Sequence, residues 1–216
     1  MTLWIAAMIV AAFLFVEPAL GFPGQTSRIM FFHIPQAWVA SLSFLLSMIA
    51  GCLYLIKREI RLDQLAFSAA ELGFLFCLLA TASGSMFAKA TWGSFWNWDP
   101  RETSILILLM IYGAYFALRS AIAEQDKKRA FSAVYLILAF VTVPFLIFVV
   151  PRITFSLHPE DTMNPMSPGM DIRTLLVFSG SLFAYTALFI WILSLRMRIL
   201  CLQQMREDLV LNKEVQ

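Results

Sequence analysis

Charge is scarce in this chain. Asp, Glu, Lys and Arg make up only 14% of its 216 residues, against 60% hydrophobic ones. A soluble domain carries nearer a quarter charged residues, so an ordinary water-soluble fold is excluded. The sixteen Lys and Arg barely exceed the fourteen Asp and Glu and form no basic tract, which argues against nucleic acid as a partner. Cysteine is equally sparse: Cys52, Cys77 and Cys201 stand far apart. With no C-x-x-C there is neither a thioredoxin-like redox motif nor a zinc ribbon, and with no C-x-x-C-H the chain is not itself a c-type cytochrome. No G-x-x-x-x-G-K-[ST] occurs, so any ATPase must be a separate subunit. Histidine appears only twice, at His33 and His158.

What is abundant is apolar length, with a mean hydropathy of +0.77. A bilayer-crossing helix needs about 20 mostly apolar residues. Six such runs are predicted, at 2–20, 35–56, 65–86, 102–119, 130–150 and 173–195, giving an all-α integral membrane protein with a single membrane domain over 1–216. The first run lacks a basic leader and carries Glu17 near its far end, so it reads as a retained helix and not a signal peptide. Pro35 suits the first turn of the second span, and Pro144 should kink the fifth. Lys and Arg divide eleven to five between the two faces. The positive-inside rule then makes both termini cytoplasmic, with loops 21–34, 87–101 and 151–172 outside and a polar tail over 196–216 inside.

The unusual residues collect on the outer face. His33 lies two before Pro35 and His158 directly before Pro159, where proline biases the backbone toward extended geometry. Between them runs Thr91-Trp-Gly-Ser-Phe-Trp-Asn-Trp-Asp-Pro-Arg-Glu-Thr103, holding three of the six tryptophans. An aromatic belt needs only scattered rings. Trp92, Phe95, Trp96 and Trp98 together suggest a broad apolar shelf with indole donors at its rim. Asp99, Pro100 and Glu102 match the N-cap, N1 and N3 positions of the next helix, a capping box that would fix the loop over the membrane. Arg101 opposes the helix dipole there unless an anion such as a propionate joins it. Two imidazoles, an aromatic shelf and an arginine point to haem, and bis-histidine ligation favours carriage over oxygen chemistry.

These segments resemble the tryptophan-rich "WWD" haem-handling family of cytochrome c biogenesis, and within it CcmC. The resemblance rests on Trp92 to Thr103, on Phe32-His33-Ile-Pro-Gln-Ala-Trp38, and on Ser156-Leu-His158-Pro159, in an order that covers nearly the whole chain. It implies that His33 and His158 are axial ligands of haem b. It gives Trp92, Trp96, Trp98 and Asp99 to the haem platform and sets Arg101 against a propionate. It also implies a periplasmic haem chaperone of CcmE type as acceptor, with CcmD-like and CcmA/CcmB-like subunits as partners, in a bacterial or archaeal cytoplasmic membrane. The Pro100-Arg101-Glu102-Thr103 continuation is closer to CcsA and CcmF, relatives that join haem to apocytochrome c. Those carry further histidines for an internal haem, which this chain lacks.

Three further features complete the reading. Glu71, within the third span, is expected to snorkel toward Arg61 or Lys57, and Glu17 to reach the interface or pair with Arg28. Met163, Met166 and Met170 beside His158 supply a rival reading, a copper-handling protein. A third class is an assembly subunit whose aromatic loop docks a partner without any cofactor.

Overall fold

Every regular element is helical among the described residues of the computed structural model, which are 2–18, 22–158 and 171–214, with side chains described up to Arg206. The order is α1 (Thr2–Leu14), a 3-10 turn (Thr26–Ile29), α2 (Met30–Lys57), α3 (Ile60–Trp92), α4 (Pro100–Ala121), α5 (Gln125–Pro144), a π turn (Phe145–Val149), α6 (Val150–Ile153) and α7 (Ile172–Glu214). Five of these segments are long and apolar enough to cross a membrane: Thr26–Lys57, Ile60–Trp92, Pro100–Ala121, Gln125–Ile153 and Ile172–Arg206. Each corresponds to one of the last five predicted spans.

The first run differs. α1 has 13 residues and reaches about 20 Å, short of a 30 Å hydrocarbon core. The cause is visible in the sequence: Pro18 disfavours helical geometry at Glu17 and removes a backbone donor, so the helix closes before them. α1 instead lies against α7. Trp4 stacks on Phe183 with centroids 6.3 Å apart, and a Cβ on Gly180 would come within 2.6 Å of Met8 Sδ.

Both prolines expected to mark helix features do so in altered form. α2 begins at Met30, directly after the 3-10 turn, so Pro35 is buried inside the helix and not in its first turn. His33 therefore belongs to a rigid helix and not to an extended segment. Pro144 is followed by the π turn instead of a simple kink, a local widening that absorbs the lost backbone hydrogen bond.

α2 and α3 pack along their lengths through small residues. Phe44 lies against Gly73, where a Cβ would sit 2.6 Å from the ring, and stacks on Tyr112 of α4 with centroids 3.6 Å apart. In a membrane such close contact replaces the hydrophobic drive as the source of cohesion. Two ion pairs add polar ties. Asp63 takes a two-pronged contact from Arg119, both at 2.7 Å, with Arg129 at 4.0 Å. Glu71 pairs with Arg196 of α7 at 2.9 and 3.2 Å, and not with Arg61 or Lys57. α3 carries Asp63 near one end and Trp92 at the other, about 44 Å apart at 1.5 Å per residue. The buried ion cluster and the tryptophan loop thus lie at opposite ends of the bundle.

Candidate functional site

At the tryptophan end, α3 stops at Gly93, whose φ of 84° suits glycine, and α4 starts at Asp99. The turn between them passes through Trp98 in a left-handed conformation, φ 56°, which is uncommon for a bulky residue. The expected capping box is present: the Asp99 side chain accepts from Arg101 N at 2.9 Å, and Glu102 Oε2 accepts from Asp99 N at 3.3 Å. Glu102 also takes the Asn97 N–H at 2.7 Å, and Ser85 of α3 donates to the Phe95 carbonyl at 2.7 Å. The loop is fastened at both ends.

Asp99 does more than cap. It accepts from Leu157 N at 2.6 Å and from the Ser156 hydroxyl at 2.9 Å, and its Oδ1 lies 3.1 Å from His158 Nδ1. Burial opposes its ionisation, but the Arg101 and Leu157 N–H groups, the Ser156 hydroxyl and His158 outweigh it and hold its carboxyl below the usual range. Ionised Asp99 is acceptor-only, so His158 Nδ1 carries the proton and Nε2 keeps the lone pair. Burial lowers the His158 imidazole below its ordinary value, and the Asp99 charge only partly offsets this. The ring therefore stays neutral to lower pH than a free imidazole, and acid competes for Nε2 later. A ligand held through Nε2 should be lost on the acid side of the ordinary histidine range. Retention measured from pH 8 downward checks this, and a loss beginning at pH 7 would contradict it.

His33 is seated differently. Its Nδ1 lies 3.1 Å from Ser83 Oγ on α3. That hydroxyl has carbonyl acceptors at Leu79, Ala80 and Gln36, 2.9 to 3.2 Å away, so its proton is committed and it accepts from the imidazole. The ring lies across Gly84, where a Cβ would stand 2.9 Å from Cε1. Neither Ser83 nor Gly84 was anticipated from the sequence.

His33 and His158, 125 positions apart, line one cavity of about 580 Å³. Trp96, Arg101, Glu102 and Arg28 line it too. Arg101 Nε is buried without a hydrogen-bond partner, as is Glu102 Oε1. Arg28 is engaged by the Gln25 side chain and the Ala12 carbonyl, and no described ion pair joins it to Glu17. The four aromatic rings do not form one flat shelf. Trp92 sits on the end of α3 and meets His158 edge-on at 4.9 Å and 68°, backing the ring from outside the cavity lining. Trp98 is 71% exposed and perpendicular to Trp96, and Phe95 is exposed beside Lys89. Of the seven predicted site residues, the cavity lining therefore collects His33, His158, Trp96 and Arg101. Asp99 and Trp92 act on it through His158, and Trp98 stands apart. Pro159 and the loop methionines Met163, Met166 and Met170 lie outside the described residues.

Fold and site define a multi-pass helical membrane protein with an imidazole-lined cavity at one end of its bundle. The model of CcmC, heme exporter protein C, matches residues 1–212, and the chain belongs to that family. It is 30% identical over 167 residues to heme exporter protein C of Bradyrhizobium diazoefficiens, covering 77% of this chain and 64% of that protein. It is thus aligned with just under two thirds of that relative's length. It is 29% identical over 183 residues to heme exporter protein C of Haemophilus influenzae, covering 84% of this chain and 74% of that protein. It is also 30% identical over 115 residues to cytochrome c biogenesis protein CcsA of a Synechococcus strain, covering 53% of this chain and 32% of that one. The family is a component of haem transport and cytochrome c maturation.

Proposed function

We propose that the chain holds haem b between His33 and His158 at the outer end of the bundle and presents it to a periplasmic haem chaperone of CcmE type. The convergence of the only two histidines on one cavity carries this reading. Its volume falls in the roughly 300–1,000 Å³ range of pockets for cofactor-sized ligands. The donor chemistry fits as well: each Nδ1 is engaged, leaving Nε2 for iron. The unpartnered Arg101 Nε is a waiting donor for a propionate. Haem bound by two imidazoles has a coordinately saturated iron, which suits a cargo. Trp96 supplies an apolar wall, and Trp92 and Asp99 hold His158.

In this reading both termini face the cytoplasm of a bacterial cell. The Asp63–Arg119–Arg129 cluster lies at the end where Lys and Arg are concentrated, in keeping with that orientation. CcmD-like and CcmA/CcmB-like subunits would be its membrane partners. A second reading, delivery to apocytochrome c in the manner of CcsA, is favoured by the CcsA relatives and the Pro100-Arg101-Glu102-Thr103 run. A purified chaperone that takes up haem from the loaded protein, where apocytochrome c does not, would decide for the first.

The test is haem content in purified His33→Ala and His158→Ala variants. Each is expected to lose about tenfold or more of its haem while reaching the membrane at wild-type levels. Equal haem content and an unchanged spectrum in both would overturn the proposal.

A further inference from the structure

The two imidazoles meet acceptors of different charge. His158 Nδ1 faces the Asp99 carboxylate at 3.1 Å, whereas His33 Nδ1 faces the neutral Ser83 hydroxyl at 3.1 Å, with the neutral Ala80 carbonyl adding to its surroundings. A carboxylate accepting the Nδ1 proton raises electron density at Nε2 and strengthens it as a metal ligand. A hydroxyl whose own proton is committed to carbonyls does so less. The rings are held differently as well: His158 Nδ1 has the Ser156 hydroxyl at 3.4 Å beside the Asp99 carboxylate, while the His33 ring, carried by α2, has one side-chain hydrogen bond.

Building on the haem reading above, we infer that His158 is the strong, retained ligand and His33 the weak one that yields its place to the acceptor, with Asp99 and Ser83 as the positioning residues that set the difference. In the exchange His33 Nε2 releases iron while Nδ1 keeps its proton and goes on donating it to the Ser83 hydroxyl oxygen. A lone-pair ligand from the acceptor takes the vacated position. One coordination bond breaks and one forms, with no change in oxidation state and no proton transferred.

Carbon monoxide is the probe, because it replaces the weaker ligand of a ferrous bis-histidine haem and reports on the one that remains. The full-length, haem-loaded protein is reduced with dithionite and mixed with carbon monoxide. The Fe–C and C–O stretching frequencies are then compared for wild type, Asp99→Asn and Ser83→Ala. Polarity around carbon monoxide moves a point along the inverse line relating the two frequencies, whereas a changed trans ligand moves it off that line. Asp99→Asn is expected to leave the line and Ser83→Ala to stay on it. Ser83→Ala should also bind carbon monoxide about two- to tenfold faster, the scale of one lost hydrogen bond. Displacement by Ser83→Ala, displacement by neither variant, or an unchanged Ser83→Ala rate would overturn the inference. A wild-type protein without a low-spin ferrous spectrum before carbon monoxide is added would instead overturn the haem reading on which it rests.

Discussion

Replacing Asp99 by alanine is expected to lower haem retention by about ten- to a hundredfold, the usual cost of removing the partner that orients a metal-ligating histidine. One carboxylate serves four groups here: the Arg101 N–H, the Leu157 N–H, the Ser156 hydroxyl and the His158 ring. Alanine leaves all four without that acceptor and also removes a helix cap, which costs about 0.5–2 kcal/mol by itself. Thermal stability in detergent should therefore fall together with haem content. Asp99→Asn separates the two effects. Its amide oxygen can still accept the Arg101 N–H and keep the cap, while the Leu157 N–H loses its acceptor and His158 its charged partner, so the melting temperature should fall less than in Asp99→Ala while haem retention still drops. Haem titrations and melting curves on the two variants check this, and wild-type retention in Asp99→Ala would contradict it.

Gly84→Ala is expected to lower haem binding with little change in stability. Alanine favours a helix over glycine by roughly 0.5–1 kcal/mol, which offsets the cost of displacing one imidazole, so the fold should hold. The new methyl group, however, would lie 2.9 Å from His33 Cε1 and 3.4 Å from Nδ1, so the imidazole must shift away from Ser83. Haem retention should fall about tenfold or more, as when a ligand's orientation is lost. Gly113, with nothing within 4 Å of its would-be Cβ, provides the control: Gly113→Ala should bind haem as wild type does. Equal haem affinity in the Gly84 and Gly113 variants would show that the Gly84 contact does not position His33.

Local patterns were readable in the sequence where the physics is local. Asp99-Pro100-Arg101-Glu102 specifies a capping box within four residues, and the structure forms it. Five apolar runs long enough for a bilayer appear as five long helices, because hydropathy over about 20 residues dominates any one position. Apolar composition extends the first predicted run to residue 20, whereas α1 closes at Leu14 ahead of Pro18 and its backbone restriction. The His33 seat was not legible, since Ser83 and Gly84 stand 50 and 51 positions away and only the packing of α2 on α3 brings them together. The Glu71 partner is hidden for the same reason: Arg196 is 125 positions on, in α7, while Arg61 and Lys57 are nearer in sequence. Clustering of tryptophans is legible in the sequence, but not that the left-handed Trp98 and the helix end at Trp92 turn the rings in different directions.

One haem held between His33 and His158 is the arrangement from which the other expectations follow. Visible absorption spectra of the detergent-purified, haem-supplied protein, oxidised and dithionite-reduced, test it most directly beside the His33→Ala/His158→Ala double variant. A six-coordinate low-spin haem b spectrum is expected in the wild type and its loss in the double variant. A colourless wild-type protein, or an identical low-spin spectrum in the double variant, would contradict it.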